Sequence, residues 1–194
     1  MGLGMKRSGV ITIIVIGVIL IAIVVGYAIN LNRKNTPAGE EVVESTAVQK
    51  VLQKDLEKSY PPTPKEVVKY YAEITKCFYN EEYTEDELEQ MALKIQEIYD
   101  AELVANKSQE EYMNDLRTEI ASMKESNYTI TGYVLSASVD VEEFMKDGYS
   151  CARLYCTFSI KQGTNGTKRS MEQFVLRKDE DNHWKILGWD LVNE

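Results

Sequence analysis

Residues 149–162 read Tyr-Ser-Cys-Ala-Arg-Leu-Tyr-Cys-Thr-Phe-Ser-Ile-Lys-Gln, and their side chains sort into two sets by parity. Ala152, Leu154, Cys156, Phe158 and Ile160 fall on one side, and Tyr149, Cys151, Arg153, Tyr155 and Thr157 on the other. A period of two with one apolar set is the signature of a strand that buries a single face. Gly163-Thr164-Asn165-Gly166-Thr167 follows and reads as a hairpin turn with an Asn-Gly core. Arg169–Lys178 returns with Phe174 and Leu176 on its buried side. Asp179–Asn182 turns again into a last strand, His183–Val192, where Trp184 and Ile186 share one parity and Trp189 and Leu191 take over across Gly188. A change of parity at a glycine is what a β-bulge requires. Upstream, Tyr128–Val141 shows the same change, with Tyr128 and Ile130 before Gly132 and Tyr133, Leu135, Ala137 and Val139 after it.

Before Asn127 the period is 3.6. Thr63-Pro64-Lys65-Glu66, Thr84-Glu85-Asp86-Glu87 and Ser108-Gln109-Glu110-Glu111 each read as a capping box, and each leads into an apolar stripe. The stripes are Val67, Tyr70/Tyr71, Ile74, Cys77/Phe78, then Leu88, Met91, Ala92, Ile95, Ile98/Tyr99, then Tyr112/Met113, Leu116, Ile120, Met123. The predicted architecture is α+β: an N-terminal transmembrane helix, then three helices packed on a curved, four-stranded antiparallel sheet in a cone-like form. Tyr60-Pro61-Pro62-Thr63-Pro64 stops any preceding helix, so the cone domain is placed at 61–194.

The transmembrane expectation rests on Gly9–Ile29, which carries no charge and would span roughly 31 Å as a helix, about one hydrocarbon core. The run is longer than a signal-peptide core, and Lys6 stands where myristoylation calls for Ser or Thr. Residues 1–8 are then a short cytoplasmic tail, 9–29 an uncleaved anchor, and 30–60 a linker. Within the linker, Val48, Val51, Leu52 and Leu56 mark a short amphipathic helix around 43–58. The domain is expected outside the cytoplasm, at the cell membrane, as a single-pass protein. Lys6-Arg7 and Arg33-Lys34 flank the two ends almost equally, so charge alone does not orient it.

The chain has 194 residues, 22 Lys+Arg against 31 Asp+Glu, and a formal charge of −9. Residues 1–60 hold 7 basic and 5 acidic side chains, which leaves 15 and 26 for residues 61–194. So acidic a domain repels polyanions, and no nucleic-acid partner is expected.

The helices, the meander of bent strands and the ending Asp179-Glu180-Asp181-Asn182-His183-Trp184-Lys185-Ile186-Leu187-Gly188-Trp189 resemble the nuclear transport factor 2-like (cystatin-like) superfamily over about residues 62–194. The single anchor before Tyr-Pro-Pro-Thr-Pro is similar to membrane-anchored versions from Gram-positive bacteria. The resemblance implies a fold and not an activity, since members include isomerases, dehydratases, binding domains and secretion-system scaffolds.

No catalytic residue, cofactor site or metal site emerges from the sequence. The only histidine, His183, sits at a turn-to-strand junction and reads as an exposed turn residue. Tyr133 is the best polar candidate for a pocket. Cys77, Cys151 and Cys156 read as reduced buried thiols with no metal spacing, though a Cys77–Cys156 pairing is conceivable. The candidate interaction face is the outer side of two strands: Cys151, Arg153, Tyr155 and Thr157 on one, Met171, Gln173 and Val175 on the other. It would serve a homodimer or a protein partner. The expected function is a membrane-anchored interaction or ligand-binding module outside the cytoplasm, and not an enzyme. The alternatives are a scaffold component of a conjugation or secretion-like assembly and a small-molecule isomerase or hydrolase using the cone. The inward residues are expected to fill the cone. An open pocket above roughly 300 Å³ with two or more converging Asp, Glu or His side chains would favour the enzyme instead.

Overall fold

The computed structural model describes residues 45–192. Five helices come first: α1 (Ala47–Leu52), α2 (Pro64–Asn80), α3 (Glu85–Gln96), α4 (Ala101–Ala105) and α5 (Gln109–Glu125). Five strands follow: β1 (Tyr128–Leu135), β2 (Glu142–Lys146), β3 (Tyr149–Gln162), β4 (Thr167–Lys178) and β5 (Trp184–Leu191).

The helix starts obey their caps. Thr84 Oγ1 accepts from the Glu87 amide at 3.2 Å while Glu87 Oε2 accepts from the Thr84 amide at 2.8 Å. Ser108 and Glu111 repeat this, as do Thr46 and Gln49 at α1. At α2 only half the box forms: Thr63 accepts from the Glu66 amide, and Glu66 reaches back to the hydroxyl alone. Pro64 at the first helical position supplies the preset φ.

The expected four-stranded sheet is corrected to five strands. Tyr128–Val141 is not one strand: pairing stops after Leu135, the chain makes a 3₁₀ turn at Ser138–Asp140, and β2 resumes against β3. β1 pairs with the second half of β3 and β2 with the first half, so both share one side of β3 while β4 runs along the other. The order is β1-β3-β4-β5, all antiparallel, with β2 added at β3. Three of the five residues of β2 are charged, so it carries no strand-like apolar parity in the sequence. Its pairing is imposed by the two-residue turn Asp147-Gly148, with φ of 52° and 86°, a conformation that suits Asp-Gly and matches strand twist.

Both predicted bulges are present. The β1–β3 register shifts between Ile130 and Gly132, and the β4–β5 register shifts where Val175 faces Gly188 and Leu176 faces Ile186. At the first, the Asn80 side chain acts as a stand-in strand, its amide donating to the Ile130 carbonyl at 2.7 Å and its oxygen accepting from the Ile130 amide at 2.9 Å. The turn after β3 differs from expectation, since its left-handed residue is Gly163 (φ 51°) and not the Asn-Gly pair.

The bulges curve the sheet around one core. Ala152, Leu154, Cys156, Phe158, Phe174, Leu176, Trp184 and Ile186 are buried on its concave side, against Val67, Tyr70, Ile74 and Phe78 of α2 and Met91 and Ile95 of α3. The compact unit begins at Ser45. Val48, Val51 and Leu56, which lie ahead of the expected start at 61, are core residues, and the Tyr70 hydroxyl donates to the Val51 carbonyl at 2.8 Å.

No helix among the described residues is long and apolar enough to cross a membrane. The apolar stretch 9–29, the tail 1–8 and the linker up to residue 44 lie outside the described residues.

Candidate functional site

The expectation of a filled cone does not hold. A cleft of about 590 Å³ opens between the concave side of the sheet and helices α2, α3 and α5. One wall is aromatic. Tyr71 of α2 lies 5.0 Å edge-on from Phe174 and 5.2 Å from Trp189, and Tyr99 lies 5.8 Å from Trp189. Trp189 reaches this place because the β5 bulge reverses its parity, and it brings Leu191 to the rim, where Leu191 is 64 % exposed. Tyr79, Tyr112, Phe158 and Ile160 continue the lining.

Three carboxyl residues line the cleft: Asp115 and Glu119 on α5, and Glu172 on β4. Asp115 is held by Lys107 at 2.5 Å, and Glu119 Oε1 accepts the Tyr79 hydroxyl proton at 2.5 Å. Glu172 is different. Its Oε2 is sealed from solvent and has no hydrogen-bond partner among the described residues. Burial, and then the like charge of Glu119, push its carboxyl up to about 7. The surrounding hydroxyls shift in the same direction for the same reason: Tyr71 and Tyr99 rise well above the ordinary phenol range and Tyr112 to about 12.

Glu172 is legible in the sequence. It shares the parity of Phe174 and Leu176, and faces Cys156 across the β3–β4 seam, so a carboxyl stands in a buried row. Glu119 and Asp115 are harder to read, because both flank the α5 stripe of Leu116 and Ile120 at helical spacing that equally suits a solvated shoulder.

The family described as "Domain of unknown function (DUF6715)" matches residues 5–189. The chain belongs to that family. The match takes in the apolar stretch 9–29 and the cleft-forming segments from Tyr71 through Trp189. No curated protein matches the chain.

The residues singled out from the sequence fall elsewhere. On the outer sheet face Arg153 lies opposite Val175, Tyr155 opposite Gln173 and Thr157 opposite Met171, so these six do share one surface. Much of it is occupied internally: Arg153 pairs with Glu142 at 3.0 Å and stacks over Phe144, and Gln173 Nε2 donates to the Tyr155 hydroxyl at 2.5 Å. Cys151 is buried at 3 % exposure, opposite Phe144 of β2, and offers nothing to a partner.

Tyr133 does not line the cleft. Its hydroxyl faces Glu73 at 3.5 Å, and its ring packs near Phe158. His183 is half-buried and stacks on Tyr60 at 4.1 Å. With Asp179 and Asp181 it forms the one cluster of metal-ligating side chains among the described residues. Turn chemistry accounts for that cluster, since Asp179 Oδ1 accepts from the amides of Asp181 and His183. Cys77, Cys151 and Cys156 are free, buried thiols, and desolvation raises Cys77 to about 11 and Cys156 to about 12.

Proposed function

We propose that the folded unit is a small-molecule-binding module, held at a membrane through the apolar stretch 9–29 and presented outside the cytoplasm. The observation that carries the binding reading is Glu172: a sealed, unpartnered carboxylate oxygen beside an aromatic cleft of about 590 Å³. Ligand sites combine this size and apolar lining with a few convergent polar groups. A cleft between helices and the concave side of a bent sheet is also what the likeness to the nuclear transport factor 2-like superfamily implies. The anchor is supported by the length and apolarity of 9–29 in the sequence.

The test uses the full-length chain in detergent and the neutral fluorescent probe N-phenyl-1-naphthylamine. Saturable enhancement is expected, weakened by at least about tenfold when Ser170→Trp fills the cleft from β4. Enhancement that does not saturate, or that Ser170→Trp leaves unchanged, removes this reading.

A second reading, an isomerase or hydrolase acting inside the cleft, is favoured by the open cleft of about 590 Å³ with three carboxyl residues in its lining, the condition named above for the enzyme, and by the state of one of them. A carboxyl that titrates near 7 beside a second carboxylate has the properties of a general base at neutral pH. Turnover lost in Glu172→Gln while probe binding persists would separate catalysis from binding.

A further inference from the structure

The polar groups around the cleft restrict what it can hold. Glu172 is faced by Glu119 of α5, by the hydroxyls of Tyr71 and Tyr79 of α2, and by the Cys156 thiol of β3. Across its other seam stands Leu191 of β5. None of these is a cation. The single lysine of the lining, Lys107, is bound to Asp115 at 2.5 Å. Glu119 accepts the Tyr79 hydroxyl, so the cleft-lining carboxyl without a partner among the described residues is Glu172, whose Oε2 is sealed from solvent. Beside it the rings of Tyr71, Tyr99 and Trp189 sit within 5.2–6.4 Å of one another.

Aromatic faces carry negative quadrupole potential, and carboxylates add to it. An anion entering here meets repulsion from both. A neutral apolar molecule leaves the carboxylate buried without a partner. A cation with an N–H donor gains the ring faces and gives the cleft-lining Glu172 carboxylate a charge-assisted bond.

We infer that the cleft takes a protonated amine carried on an apolar, ring-sized body, with its ammonium group against Glu172 and its body against the Tyr71–Tyr99–Trp189 wall. This rests on the binding reading above. The site is then self-gating with pH. A neutral Glu172 cannot hold the ammonium charge, so binding draws the carboxyl into its ionised form and expels a proton.

The test is calorimetric titration of the full-length chain in detergent with three probes of one size: 2-phenylethylamine, 2-phenylethanol and 3-phenylpropionate. At about pH 8 the amine is expected to bind at least about tenfold tighter than the alcohol, and the carboxylate weakest. Lowering the pH to about 6 should weaken the amine alone, and near pH 7 its binding should release a proton, read as buffer-dependent heat. Glu172→Gln, nearly isosteric and checked for an intact near-ultraviolet spectrum, should reduce the amine to the level of the alcohol. Equal affinity for all three probes would overturn the amine assignment while leaving the cleft a binding site. Binding of none would remove both. An amine advantage that survives Glu172→Gln, or that grows as pH falls, would also overturn the assignment.

Discussion

Glu172 is where local chemistry and folding energetics conflict. Its carboxyl stands near 7 in the folded chain against an ordinary value of 4.5. Below about 4.5 the group is protonated whether the chain is folded or not, and its burial costs little. Between about 4.5 and 7 the unfolded chain ionises first, so stability falls as pH rises, and above 7 the loss is complete. The loss is on the order of 2 kcal/mol, given the size of the shift and the residue's partial exposure. Urea unfolding followed across pH 4–8 should show this decline as the difference between the natural chain and Glu172→Gln, with the variant the more stable above pH 7. A variant curve parallel to the natural one would show that the carboxyl is not desolvated. A cost of this kind at a buried carboxyl is what functional sites tolerate.

Among the elements, the joint between α3 and α4 is fastened by a buried ion pair. Asp100, 4 % exposed, caps α4 through the Glu102 amide and receives Arg177 of β4 in a two-toothed grip, at 2.9 and 2.6 Å. Its amide donates to the Ile186 carbonyl, and the Ile186 amide to that of Ile98, so the same short segment covers the free edge of β5. Arg177→Met leaves Asp100 buried without its cation and is expected to cost about 3 kcal/mol, while the double change Arg177→Met with Asp100→Asn recovers part of that. A double-mutant cycle on urea midpoints measures the coupling. None of this could be read from the chain, because Asp100 and Arg177 lie 77 positions apart and neither belongs to a spacing motif. The boxes at Thr84 and Ser108, the strand Tyr149–Gln162 and the glycine bulges were legible because each is a local rule. β2 failed the parity rule, yet Asp147-Gly148 carried the hairpin signal beside it. The cleft was hidden for another reason. Parity identifies which side chains face inward, but whether they meet the helices is a matter of sheet curvature, which no residue pattern states.

The unit as a whole extends further toward the N-terminus than its proline-rich segment suggests. A chain begun at residue 61 loses Val48, Val51 and Leu56 from the core and strips the Tyr70 hydroxyl of its acceptor. Three buried aliphatic side chains amount to roughly 5 kcal/mol, a large share of the stability of a domain this size. A chain begun at 45 should therefore unfold cooperatively in urea, and one begun at 61 should aggregate or melt at a much lower midpoint. Equal midpoints would mean that α1 is an ornament. Just after α1, Tyr60 donates to the Trp184 carbonyl at 2.9 Å, stacks on His183, and carries Lys185 over its ring at 4.6 Å. That fastening has a mechanical consequence. Tension entering at Ser45 peels α1 from α2 and α3 first, then arrives at Tyr60 and passes into the β4–β5 hairpin. A pull on the N-terminus thus loads the sheet seam once α1 is off, while α5, which α1 does not hold, is spared until the tyrosine lets go.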